Sequence, residues 1–183
     1  MIGIPVLFGL AAVATYLAWT YNLLIRRRNR VKAAWAQVDV QLSRRLALIP
    51  NLVEVARGYM AHERAAFDEL ASLRGKALEA GANVPIRALV EARLAGALAG
   101  LLGTAEAYPA LKASEVMLRL QEDLTSTEAR IALARRNFDN QVRDYNVAIS
   151  VFPTAVFAGL MGFQAEALFV ANDADRAPVK VEL

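Results

Sequence analysis

Residue types that do chemistry are sparse in this chain. His62 is the sole histidine and cysteine is absent. His62-Glu63 begins like the His-Glu-x-x-His zinc pattern, but Ala66 stands where the second histidine is required, so ligand count excludes a zinc hydrolase. There is no glycine-rich phosphate loop with its lysine and no Gly-x-Ser-x-Gly nucleophile elbow. A carboxylate-bridged metal pair of the helical-bundle kind needs two Glu-x-x-His pairs, which one histidine cannot supply. The expectation is a non-enzyme with no catalytic, metal-binding or cofactor-binding residues.

What remains is a polar constellation at or near positions that also face apolar neighbours: Asp39, Arg45, Asn51, Glu63, Glu69, Glu106, Glu128, Arg135, Asn137, Asn140, Arg143, Asp144 and Asn146. On helices these groups act as interhelical pairs that fix register between otherwise slippery apolar seams, or they line a functional groove. Asp39 and Glu63 fall on the apolar seam itself, where a carboxylate needs a cation. Antiparallel packing is expected to bring one of them to an arginine of the 135–143 region, with Arg135 and Arg143 as candidates.

The element that positions them is a long amphipathic helix. From Trp35, alternating steps of four and three reach Asp39, Leu42, Leu46, Ile49, Val53, Ala56, Met60, Glu63, Phe67 and Leu70, apolar except for the two acids. A repeat of 3.5 residues held this long keeps one face against neighbouring helices. A second row, Leu52, Tyr59, Ala66 and Leu73, widens the face to that of a bundle. The helix is expected to run to about Gly75, loosened or kinked at Pro50, which removes an amide donor and crowds the carbonyl of Leu46.

EAGANVP, residues 79–85, reads as a loop. A second helix, about Pro85 to Ala107, carries Val90, Leu94, Ala97, Leu101 and Ala105 in phase. Its Gly96, Gly100 and Gly103 weaken it, which close backbone approach or ordinary drift would explain. A third helix, about Ser114 to Phe152, repeats the seam through Met117, Leu120, Leu124, Ile131, Phe138 and Tyr145. The fold class is all-α, an amino-terminal transmembrane helix continuous with an antiparallel bundle of three or four long helices. After Pro153 a short apolar helix or turn bears Phe157, Leu160, Met161 and Phe163, either as a cap on the bundle or as a patch that meets the bilayer or a partner.

Ile2 to Ile25 contains no charged side chain, long enough as a helix to cross a hydrocarbon core of about 30 Å. Tyr16, Trp19 and Tyr21 gather toward its basic end, as rings at a headgroup boundary do. Arg26, Arg27, Arg28, Arg30 and Lys32 follow. These five cations account for the formal +3, so the basicity is local and nucleic-acid binding is not expected. The positive-inside rule then places Met1 outside and the rest of the chain in the cytoplasm, a single-pass inner-membrane protein. The same cations suit anionic headgroups, the lipid bilayer being the first partner expected. The chain divides into a transmembrane helix (1–25), a basic collar (26–34), a helical bundle (35–170) and a loose tail (171–183).

Four blocks, IPNLVE (49–54), AYPALKA (107–113), LQEDLTSTEARI (120–131) and VRDYN (142–146), together with the stretch from Arg28 to Glu63, closely resemble the LemA family of bacterial membrane proteins. The likeness runs from Tyr21 nearly to the end of the chain. It departs at Leu46-Ala47, where the family prefers Tyr-Asp, and in the extra glycines of the second helix. The resemblance implies one amino-terminal span, a bundle of long helices and no established enzymatic activity. Some members of that family belong to the proteins that form magnetosome membranes, and others neighbour membrane proteases of the HtpX type. The function expected is a non-enzymatic, membrane-anchored scaffold that self-associates or organises partners, or alternatively an adaptor for such a protease.

Overall fold

The uncharged stretch and the first part of the seam that follows it, to Arg57, fold as one helix. In the computed structural model, which describes residues 3–169, α1 runs Gly3–Arg57. It is followed by α2 (Arg64–Ala80), α3 (Val84–Ala105), α4 (Pro109–Lys112), α5 (Glu115–Ser150) and α6 (Thr154–Leu160), with no strand among the described residues. The tail expected to be loose, 171–183, lies outside the described residues. Two units form: one draws on α1 up to Gln37 and on Arg136–Leu168, the other on Val38–Arg135 and Phe169.

In the second unit the later half of α1 buries Leu46, Ile49, Leu52 and Ala56 against Phe67, Leu70, Leu73 and Ala77 of α2 and Leu94, Leu98, Leu101 and Ala105 of α3. Met117 and Leu124 of α5 complete this core, and Leu111 of α4 is fully buried in it. The AYPALKA block is thereby accounted for: Pro109 starts a one-turn helix, where its missing amide costs nothing, and Leu111 plugs the core.

The first long helix ends earlier than its periodicity implies. After Arg57 the chain turns at Gly58, and the amides of Tyr59 and Met60 fold back on the carbonyl of Ala56 at 3.0 and 2.8 Å. Glycine is a poor helix former, and the turn at 58–63 keeps the apolar phase, because Met60, Phe67 and Leu70 are all buried. A single seam therefore spans two helices. α2 in turn reverses into α3 through Gly81, whose φ of 51° is in the left-handed region. Asn83 caps α3 by accepting from the amide of Ile86 at 3.2 Å, with Pro85 in the first turn.

Pro50 does not interrupt α1. A proline at position 50 leaves the carbonyl of Leu46 without its helical donor, and Arg74 of α2 supplies one, its Nε donating to Leu46 O at 3.1 Å. The three glycines of α3 do not serve close packing. A Cβ on Gly96, Gly100 or Gly103 would meet nothing within 4 Å, and all three lie on an exposed face.

In the first unit, Trp35 packs on Phe138 with ring centroids 5.4 Å apart, and Phe138, Val142 and Tyr145 of α5 are buried. The seam of α5 stops at Ser150, so Phe152, in phase with it by sequence, is 79% exposed instead. Its bond to Pro153 is cis. α6 ends in a left-handed Gly162, φ 73°, with the amide of Phe163 bonded to Ala158 O at 3.0 Å, the six-to-one closure of a Schellman cap. Residues 163–169 form neither helix nor strand.

Candidate functional site

Two polar assemblies stand out, one in each unit. The first is built by α1, α3 and α5 at one end of the second unit's core. Its centre is Glu91 of α3, fully buried. One of its oxygens bonds Arg45 Nη2 from α1, and the other lies 2.9 Å from Arg87 Nε, one helical turn back on α3. Both guanidinium groups are as deeply buried as the carboxylate. Arg45 turns its second nitrogen to Glu128 of α5 at 2.6 Å, and Arg87 reaches Asp39 of α1 at 3.7 Å. Glu128 and Asp39 are half exposed, so the network runs from a dry centre to two wet rims. Arg87 Nη1 also donates to the carbonyl of Ala77, in the last turn of α2, where a cation meets the negative end of the helix dipole.

Charge is matched within this network, while Arg45 Nε, Arg87 Nε and Nη2 and Glu91 Oε1 make no hydrogen bond. Each buried cation faces carboxylates, and the buried carboxylate is held by two cations, which offsets a desolvation penalty of several kcal/mol per ion. It ties α1, α2, α3 and α5 together at fixed register. Beside it, Arg45 and Glu128 border a shallow groove of ≈ 320 Å³ whose wall is Leu98, Leu102 and Leu124. Among the described residues no group of three His, Cys, Asp or Glu converges to hold a metal ion.

The arginine that meets Asp39 is thus Arg87 of α3, not one from the 135–143 region. Arg143 is exposed, and Arg135 lays its guanidinium over the Phe169 ring at 4.4 Å, a favourable cation–ring contact. Glu63 is half buried in the turn before α2 and makes no side-chain cap there. Of the network, Asp39, Arg45 and Glu128 were legible as polar residues at or near the seams, whereas Arg87 and Glu91 were missed. The signal was present: a seam taken through Leu101, Leu98 and Leu94, which α3 buries, runs back in alternating steps to Glu91 and then Arg87.

The second assembly surrounds the basic collar in the first unit. Arg27 Nη1 donates to the backbone carbonyl of Asp144 on α5 at 3.1 Å, and Arg28 Nε lies 3.5 Å from Glu166 Oε1. Arg26 folds back on Asn22 O, while Arg30 and Lys32 are exposed. The collar is therefore partly engaged in holding α5 and the segment 163–169 to α1. The VRDYN block does the rest. Asn146 donates to Glu166 O at 2.9 Å and accepts from Glu166 N at 3.0 Å, so its amide mimics a paired strand residue. Tyr145 donates to Gln164 O at 3.0 Å. Burial raises the Tyr145 pKa above its usual 10.0, Arg28 opposes that and Glu166 adds to it, so the phenol stays a donor.

Of the expected apolar patch, Phe163 is buried, stacked edge-on with Tyr21 at 5.9 Å. Phe157 is half buried, edge-on to Tyr16 at 6.0 Å, and Met161 is half buried. Leu160 is 83% exposed, and its exposed companions are Phe152 and Val156. Sequence reasoning left a cap and an exposed patch both open, and residues 154–160 offer apolar side chains on both faces.

Two described helices are long and apolar enough to cross a membrane, α1 and α3. α3 carries Arg87 and Glu91 and buries its seam in the second unit, as a core helix does. The apolar part of α1 is largely exposed, with Ile4, Leu7, Phe8, Leu10 and Val13 between 54% and 74% accessible, which fits a membrane protein.

Comparison with known proteins agrees. The LemA family model matches residues 34–183. The chain is similar to the magnetosome protein MamQ of Magnetospirillum gryphiswaldense, 27% identical over 98% of this chain and 75% of that protein. Magnetosome protein MamQ 2 of Paramagnetospirillum magneticum is 25% identical over 96% and 74%. Protein LemA of Metamycoplasma hominis is 24% identical over 86% and 72%.

Proposed function

This chain belongs to the LemA family, and from that premise we propose that it is a non-enzymatic, membrane-anchored scaffold that self-associates on the cytoplasmic face and organises the membrane there. The observation that carries this reading is the continuity of α1. One helix, α1, contains both the uncharged stretch and the Arg45 that anchors the buried ion network, so the element that would enter the membrane also contributes to the bundle. The collar at its midpoint orients the anchor by the positive-inside rule and offers Arg26, Arg30 and Lys32 to anionic headgroups. The magnetosome relatives, named for a membrane-bounded body, support a role in membrane organisation. An adaptor for a membrane protease is the second reading, supported by the groove beside Arg45 and Glu128.

Cross-linking in native membranes separates the two. An amine-reactive cross-linker applied at native expression is expected to trap dimers and higher species of this chain alone. Monomer only, or a protease recovered in equal amount from solubilised membranes, would overturn the scaffold.

A further inference from the structure

The contacts of the collar place three segments of the first unit at one level. Arg27 holds the backbone at Asp144, and Arg28 meets Glu166. Two stretches that carry no charged side chain adjoin that layer: Ile2–Ile25 before Arg26, and Tyr145–Ala165 between Asp144 and Glu166. The second stretch is the end of α5, all of α6 and residues 161–165. Phe163 meets Tyr21 and Phe157 meets Tyr16, five and ten residues before Arg26, hence about 7.5 and 15 Å beyond the layer along α1.

We infer that the end of α5 and α6 are themselves membrane-inserted, a wedge seated in the acyl chains of the leaflet that holds the basic collar, with Phe152, Val156 and Leu160 facing lipid. This rests on the reading of α1 as a membrane span. If the collar lies among headgroups, a ring stacked on Tyr16 lies in hydrocarbon, and α6 follows its own Phe157 there. The three outward residues, spaced by four, are 79%, 55% and 83% exposed, a surface that suits lipid and not water.

Part of the backbone meets the demand that lipid makes of it, internal satisfaction of its polar groups, the amides of Phe152 and Thr154 at the bend before α6 being the exceptions. The amides of Val151, Ala155, Val156, Met161, Gly162 and Phe163 each reach a carbonyl inside the segment. The hydroxyl of Ser150 donates to Asn146 O at 2.7 Å, as that of Thr15 does to Ala11 O. A depth of about 15 Å is half of a hydrocarbon core of about 30 Å. The wedge therefore reaches through one leaflet and does not cross the bilayer, which expands that leaflet relative to its opposite.

The chain has no cysteine, so single nitroxide labels can be placed at exposed positions without disturbing the core. Leu160→Cys and Val156→Cys report the wedge, Val13→Cys reports α1, and Leu133→Cys, 69% exposed, reports water. In phosphatidylcholine–phosphatidylglycerol vesicles at low protein density, the expected result is collision with nickel ethylenediaminediacetate about fivefold lower at Leu160 and Val156 than at Leu133, with high oxygen collision, as for Val13. Nickel collision at Leu160 equal to that at Leu133, with Val13 protected, overturns the wedge and leaves the span. Exposure of Val13 as well overturns both. Labels at 156 and 160 shielded from oxygen and nickel alike would mean that a second copy covers them, and would also overturn it.

Discussion

Replacing Glu91 with Gln is expected to cost the second unit about 3–5 kcal/mol of unfolding free energy, roughly a hundredfold to several thousandfold in the folded-to-unfolded ratio. The carboxylate is fully buried between two guanidinium groups that are 2–3% exposed, and removing its charge leaves both cations in place with only half-exposed Glu128 and Asp39 to answer them. The expense lies in the orphaned cations, not in any large net value of the network. Converting all three residues together, Arg45→Met, Arg87→Leu and Glu91→Leu, is therefore expected to recover most of the loss. Part of the deficit remains, because Arg87 also serves the carbonyl of Ala77. Urea titration followed by circular dichroism of the nanodisc-embedded protein measures both. A Glu91→Gln loss under about 0.5 kcal/mol would show that the charges are not buried as described.

The second large effect joins Pro50 to Arg74. Arg74→Leu is expected to cost about 1.5–3 kcal/mol, the usual value of a hydrogen bond from a charged donor, since it strips the one donor that the structure gives to Leu46 O. In a Pro50→Ala background the amide at position 50 returns to that carbonyl, and the same Arg74→Leu change should cost little. The expected coupling is about 1–2 kcal/mol, well above what independent sites show. Additive losses would mean that Arg74 acts through something other than the proline's orphan.

These two sites mark where the sequence was readable and where it was not. The apolar stretch of α1, the 3.5-residue seams and the proline all stand in the linear order, because burial imposes periodicity on types that are easy to recognise. Ile131 and Phe138 are buried where phase demands it, and Leu46 likewise. The break at Gly58 was hidden for the same reason: Ala56, Met60 and Phe67 stay in phase across the turn, so periodicity does not distinguish one bent helix from two. Arg87 and Glu91 were invisible to a search for apolar seams, since they are the polar continuation of one. The arginine that rescues Pro50 is 24 positions away on another helix, a pairing fixed by how α2 lies on α1.

The collar is a similar case. Five clustered cations read as a topology signal, but nothing in their order says that Arg27 and Arg28 are turned to Asp144 and Glu166. Nor does VRDYN disclose that its Tyr and Asn pin residues 164–166. These contacts are what carry the uncharged end of α5 and α6 to the level of the apolar part of α1.

The anchored orientation underlies all of this, and a labelling measurement reaches it directly. With Leu133→Cys, exposed on α5, a membrane-impermeant maleimide is expected to leave the protein unlabelled in intact spheroplasts and to label it fully once the membrane is permeabilised. Full labelling before permeabilisation would put the bundle on the outer face and contradict the account.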